Sequence, residues 1–221
     1  MEIPSTEQRS ARSSLRPVRA GARATHDAFL ATARRLLAEK DFDALSISEI
    51  AAANGLSVGS FYGRFHDKEA FFAVLQEQVT SEWVAASNRA LTPASLSAMS
   101  GPQTVARICA MIVQLMKMDA GFLRAALKHA STQPSSWTPI RRAGQVTVEL
   151  AVQALRPLLV AIPIRRRTAR IRFAMQMVYG TCINAVLHDP GPLFLGGRQL
   201  ERELARTVCL YLGLATARFD A

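Results

Sequence analysis

Residues 46–69 read Ser46-Ile47-Ser48-Glu49-Ile50-Ala51-Ala52-Ala53-Asn54-Gly55-Leu56-Ser57-Val58-Gly59-Ser60-Phe61-Tyr62-Gly63-Arg64-Phe65-His66-Asp67-Lys68-Glu69. Ser46 followed by Glu49 has the spacing of a capping box, in which the hydroxyl and the carboxylate each satisfy a free amide at a helix start. The helix it opens is short, carrying Ile50, Ala51 and Ala52 before Asn54-Gly55 stops it. Ser57 caps a second short helix bearing Val58, Phe61, Tyr62 and Phe65. Asp67 caps a third and longer one, with Glu69 favoured in its first turn by the helix dipole. Gly55 can adopt positive φ at the turn without a Cβ clash, and Ile50, Leu56 and Phe61 are the expected contacts between the short helices. Two short helices around a glycine turn describe a helix-turn-helix.

Working outward, Phe29, Leu30, Ala33, Leu36 and Leu37 recur at helical spacing after Thr25, read as an N-cap, and this first helix should end near Lys40 with Asp41 in the exit turn. Before it, residues 1–22 are rich in Ser, Arg and Ala and nearly free of large apolar groups, which reads as a mobile basic arm. Downstream, Phe71, Phe72, Leu75, Val79, Trp83 and Val84 carry the long helix to about Leu91. Further helices are expected near 103–118, 120–131, 138–161, 164–188 and 198–218, separated at Gly101-Pro102, Asp119, Gln133-Pro134, Pro163 and residues 190–197. Strict alternation is absent, so the predicted fold is all-α. It places an N-terminal three-helix helix-turn-helix domain at 23–80 and a C-terminal helical domain at 81–221.

Composition bounds the function. The 221 residues include 27 Lys and Arg against 17 Asp and Glu, a formal net charge of +10, which points to a polyanionic partner. Residues 1–68 account for only +2 of it, so charge alone does not locate a nucleic-acid surface. No apolar run approaches the roughly 18 residues that cross a bilayer, and Arg9, Arg12, Arg16, Arg19 and Arg23 break up any signal-peptide core. A cytoplasmic protein with no membrane partner is expected. Cys109, Cys182 and Cys209 stand far apart without a Cys-x-x-Cys pair, as reduced core thiols do.

The stretch from Thr25 to Leu75, above all residues 46–51 and 55–69, resembles the DNA-binding domain of TetR-family transcriptional regulators. Members are usually dimeric repressors whose C-terminal domain binds a small molecule that releases DNA. The resemblance implies that Tyr62 and Lys68 contact the DNA backbone, chemistry a phenol and an ammonium near a helix N-terminus can supply. It also implies that Ser46 and Ser48 touch phosphate or base edges, that Ser57, Val58, Gly59 and Ser60 form the exposed face of the recognition helix, and that Arg64 contacts phosphate. Two positions depart from the family pattern. Asp41 stands where relatives often have Gly, a position at which Asp tolerates left-handed geometry. Gly63 replaces a larger side chain, which removes one contact. With no Asn, Gln or Lys before Arg64, base reading would lean on hydroxyls, methyl contacts, Arg64 and DNA shape.

Catalytic signatures such as a P-loop, H-E-x-x-H or G-x-S-x-G are missing from the sequence, and ten of the 17 acids lie within the first 77 residues. An enzyme is therefore not expected, and neither is a cofactor or a metal. His66-Asp67-Lys68-Glu69 lacks companion ligands.

Residues 111–127 and 173–187 are apolar on more than one face, so both segments face other helices broadly. Trp83, Met111, Leu115, Met118, Phe122, Met175, Gln176 and Tyr179 are the candidate effector-binding residues, with His129 and Gln145 as further polar anchors. The last two helices are candidates for dimerisation. Small residues Ala174, Gly180 and Ala185 would allow close approach, and Leu204, Val208, Tyr211, Leu212 and Ala215 form an apolar stripe. The expected protein is a homodimeric repressor, binding double-stranded DNA at a palindromic operator and released by a small, largely apolar effector. An activator or dual regulator is the alternative within that class. A helical enzyme or scaffold with a vestigial helix-turn-helix is the alternative outside it.

Overall fold

The computed structural model describes residues 6–214, with side chains from residue 21 onward. Every regular element among the described residues is helical, and the chain divides into two compact units, Met1–Leu75 and Gln76–Ala221.

Unit 1 contains α1 (Thr6–Leu36), α2 (Ile47–Ala52), α3 (Val58–Tyr62) and the start of α4 (Lys68–Ala90). α1 begins well before Thr25, within the stretch read as a basic arm. Thr25 is thus an interior helical residue and not an N-cap: its hydroxyl donates back to the Gly21 carbonyl at 3.0 Å, the local bond that Thr makes inside helices. α1 ends at Leu36 and relaxes through tighter turns to Lys40. Asp41 has no left-handed backbone, so the turn never calls on the tolerance expected of it. Gly55 does take positive φ, at 63°.

The core of this unit is aromatic. Phe29, Phe61, Phe71 and Phe72 are fully buried with Leu30, Leu37, Leu45, Ile50 and Leu75. Phe61 lies 5.6 Å from Phe29, 5.1 Å from Phe65 and 5.0 Å from Phe71, ring centre to ring centre, within the range where offset and edge-on aromatic pairs are favourable. Phenylalanines spaced along α1, α3 and α4 thus hold three helices by one ring cluster.

Unit 2 comprises the rest of α4, α5 (Pro93–Leu96), α6 (Gly101–Met118), α7 (Ala120–Thr132), α8 (Thr138–Leu155), α9 (Ile164–His188) and α10 (Arg198–Leu212), with single 3-10 turns at Pro134–Trp137 and Arg156–Leu158. α5 is a one-turn helix inside the expected loop, capped by Thr92 on the Ser95 amide. Two expected ends move inward. α8 gives way to the 3-10 turn at Arg156, ahead of 161, because Pro157 cannot donate to the ladder. α10 stops at Leu212 where Gly213 turns left-handed, φ 67°, so 213–214 are not helical and the remainder of the expected 198–218 helix lies outside the described residues.

The complete capping box of the chain's described part is at Ser100 and Gln103, opening α6. Cys109, Cys182 and Cys209 come from α6, α9 and α10 and are all buried and free. Burial pushes the Cys182 thiol up to about 12 and Cys209 to about 11.

Candidate nucleic-acid interface and effector cavity

Three side-chain caps set the helix-turn-helix. Ser46 Oγ accepts the Glu49 amide at 3.1 Å and Ser57 Oγ accepts the Ser60 amide at 3.2 Å. Asp67 Oδ1 accepts the Ala70 amide at 2.7 Å. The carboxylate half of the first box is not made: Glu49 instead accepts from Lys40 Nζ at 2.5 Å, an ion pair tying α2 to the end of α1. Asn54 does more than stop α2. Its amide donates to Ile50 O at 2.7 Å and its oxygen accepts from Thr32 of α1 at 3.1 Å. That anchoring role follows from no local pattern.

The expected DNA-contacting residues share one unit and are largely solvent-facing. Ser46, Ser48, Ser57, Val58, Gly59, Tyr62 and Arg64 are exposed, and Ser60 is half-buried. Tyr62 is 54% exposed while Phe61 beside it is fully buried, so α3 presents one ring to the core and the next to solvent. Paired hydroxyls recur on both short helices, Ser46 with Ser48 at 3.0 Å and Ser57 with Ser60 at 3.2 Å. Arg64 donates to Ser60 O at 2.8 Å, leaving most of its five donors for another acceptor.

Lys68 is held more tightly than a surface contact would be. Its ammonium donates to the Phe42 and Asp43 carbonyls at 2.5 and 3.3 Å and lies 4.4 Å over the Phe42 ring. Burial pushes its pKa down, with Asp43 and Glu69 opposing that shift. One of its three donors is left for a phosphate. Asp67 beside it has its carboxyl held below the ordinary range by the Ala70 amide and by His66, whose Nδ1 lies at 2.8 Å. Among the described residues no group of three or more His, Cys, Asp or Glu could hold a metal.

Unit 2 contains a partly open cavity of about 700 Å³, within the roughly 300–1,000 Å³ of small-molecule sites. Trp83, Leu115 and Tyr179 line it, as does Gln145. Met111, Met118, Phe122, Met175 and Gln176 do not. Met175 is fully buried in the core, and Phe122 packs behind Trp83, edge-on at 5.9 Å. Met118 is 63% exposed, Gln176 points to solvent and Met111 is half-buried away from the cavity. His129 is not a lining residue either.

The missing wall is α8 with the turn before it: Trp137, Ile140, Arg141, Gly144, Val148 and Glu149. Their mixed polarity forms no apolar stripe in the sequence. A legible signal was the small pair Ala143-Gly144, where a Cβ added at Gly144 meets nothing within 4 Å.

The cavity walls are pinned by buried polar bonds. The Trp83 indole donates to Asp119 at 2.7 Å, and Gln76 donates to Ser136 O at 2.8 Å beside Trp137. Ser87 and Thr147 hydroxyls meet at 2.9 Å. Burial pushes the Tyr179 phenol up to about 12, partly opposed by a hydrogen bond with Thr147.

The stripe read as a dimer surface on α10 is largely taken. Leu204, Val208 and Leu212 are buried within the unit, and so are Ala174 and Ala185 of α9; Ala215 lies outside the described residues. An amphipathic stripe serves its own core first. The large apolar groups left outside on these helices are Ile164 at the start of α9, Phe173, Leu187 and Leu210, 64%, 48%, 42% and 62% exposed, with Gly180 also exposed. The arginine run at the start of α9 is partly structural. Arg167 donates to Ile162 O at 2.8 Å, and Arg170 donates to Tyr211 O at 2.7 Å.

A capped, solvent-facing helix-turn-helix in one unit and a separate helical unit around a cavity define a DNA-binding transcriptional regulator. Residues 29–75, within unit 1, match the model of the tetR family of bacterial regulatory proteins. Solved structures share the fold at low identity. The TetR-family regulator PfmR from Thermus thermophilus is 19% identical, with a TM-score of 0.57 over 84% of this chain and 97% of that one. A tetR-family regulatory protein from Rhodococcus RHA1 is 18% identical, with a TM-score of 0.60 over 86% and 95%. A transcriptional regulator from Cytophaga hutchinsonii is 14% identical, with a TM-score of 0.59 over 84% and 93%. No curated protein sequence matches the chain.

Proposed function

We propose that the protein is a cytoplasmic, homodimeric repressor that leaves a palindromic operator when a small effector fills the cavity of unit 2. The observation that carries this reading is the pairing of two separate features in one chain: a solvent-facing recognition helix flanked by hydroxyls, Tyr62 and Arg64, and a cavity of small-molecule size whose walls are held by buried hydrogen bonds. Ser46, Ser48, Ser57, Val58, Gly59, Ser60, Tyr62, Arg64 and Lys68 form the DNA-facing set. Hydroxyls and backbone amides position the duplex, while Arg64 and the remaining Lys68 donor meet phosphates. The basic stretch 1–22 adds non-specific affinity. Two-fold pairing would cover outward apolar groups of α9 and α10 such as Phe173, Leu187 and Leu210.

Footprinting on the DNA upstream of the protein's own gene tests this. A discrete protected palindrome is expected, with half-sites one helical turn or a multiple apart. Diffuse protection that vanishes uniformly with salt would reject a sequence-reading regulator.

A further inference from the structure

We propose that the effector is an organic anion, a carboxylate on an apolar body, and that Arg141 is its counter-charge. This rests on the reading of the cavity as the effector site. The charged residues lining the cavity are Arg141, Glu149 and Arg172. Glu149 and Arg172 neutralise each other through an ion pair at 2.6 Å. Arg141 has no hydrogen-bond or ion-pair partner among the described residues, so the cavity carries one unmatched positive charge.

The surroundings reinforce that sign. Helices α6, α7, α8 and α9 hold eleven Lys and Arg and a single carboxylate, Glu149, while the stretch of α4 in this unit adds Arg89 against Glu77 and Glu82, neither of which lines the cavity. Asp119, between α6 and α7, receives the Trp83 indole N–H. No carboxylate is left at the cavity to receive a cationic ligand, whereas an anionic one would meet Arg141. An arginine fork matches a carboxylate in a bidentate arrangement. Trp83, Trp137, Ile112, Leu115 and Leu123 also line the cavity, an apolar and partly aromatic bed for the ligand's body. Gln145, one turn beyond Arg141 on the same helix, can donate to a second carboxylate oxygen.

The chain's two tryptophans both line the cavity, so its emission reports on this site. The experiment titrates full-length protein with two series of matched probes, 4-phenylbutyrate, 4-phenylbutanamide and 4-phenylbutylamine, and decanoate, decanamide and decylamine. Tryptophan emission excited at 295 nm and calorimetry are the readouts. The acids are expected to bind about ten-fold tighter than their amides, more so at low salt, with the amines weakest.

Arg141→Gln should erase the acid preference while leaving amide affinity within about two-fold. Glu149→Gln, which frees Arg172, should strengthen acid binding. Arg141 is exposed, so its variant tests charge without disturbing the core. Amides or amines that bind as well as the acids would overturn the anionic class and leave the cavity reading standing. Probes that bind equally well to a Gly144→Trp variant, whose side chain enters the cavity, would overturn the cavity reading itself, as would silence of both series in both readouts.

Discussion

Phe61 and Tyr62 are adjacent, chemically alike and opposite in role. Phe61 sits in a ring cluster at full burial, so Phe61→Ala should cost about 3–5 kcal/mol and unfold the DNA-binding unit. Tyr62→Ala should change stability by less than about 1 kcal/mol and weaken operator binding. Chemical denaturation and an operator titration on the same samples separate the two. Lys68 joins both roles. Lys68→Met should lower the salt slope of operator binding by about 1, as one lost phosphate contact does, and also cost about 1–2 kcal/mol, because the Phe42 and Asp43 carbonyls lose their donor. A slope change without destabilisation would show that those carbonyl contacts carry no weight. From sequence Lys68 reads only as a surface cation, since the carbonyls it meets lie 25 and 26 residues earlier.

The short recognition helix is the element on which binding and stability part company. Gly59 lies in α3 with ordinary helical backbone, and a Cβ there would meet only Ser57 Oγ at 3.6 Å. Gly59→Ala should therefore raise stability by about 0.5–1 kcal/mol, by restricting the unfolded chain. If the bare backbone is what approaches the duplex, the same change should reduce operator affinity. Thermal melts and binding isotherms moving in opposite directions confirm it; parallel gains would remove Gly59 from the interface. Deleting residues 1–20 withdraws Arg9, Arg12, Arg16 and Arg19, whose side chains lie outside the described residues. Affinities for operator and for random DNA should fall together, because phosphate contacts carry no sequence information. A collapse of discrimination alone would mean that these residues read the minor groove.

For the whole molecule, the proposed release by an effector requires reciprocal coupling: whatever factor the ligand takes from DNA affinity, DNA takes from ligand affinity. Lys68 and Trp83 stand on one helix, Lys68–Ala90, which supplies a continuous element for that coupling. Measuring 4-phenylbutyrate affinity with and without saturating operator should give unequal values, and equality would leave DNA binding uncontrolled by that ligand. Gly144→Leu offers a second check. It fills open space in the cavity at an interior helix position, so it should keep or raise stability while abolishing the ligand's effect on operator release.

Local chemistry determined most of the helix inventory, though not the early start of α1 or the one-turn α5. Apolar spacing, Ser and Asp caps, Gly55 and the prolines act over a few residues, and so the bounds of α6, α7 and α9 and the three caps of the helix-turn-helix are legible in the chain. The proposed DNA-facing set rests on the resemblance of residues 46–69 to a known domain, and buried Phe61 beside exposed Tyr62 shows which side of α3 is free to make contacts. Tertiary structure decided everything that depends on who packs against whom. Burial of the α10 stripe, the second role of Lys68 and the replacement of Met175 and Phe122 by α8 residues on the cavity wall all arise between segments tens of residues apart. A cavity is space that packing leaves unfilled, and no single helix records which of its small residues will face it.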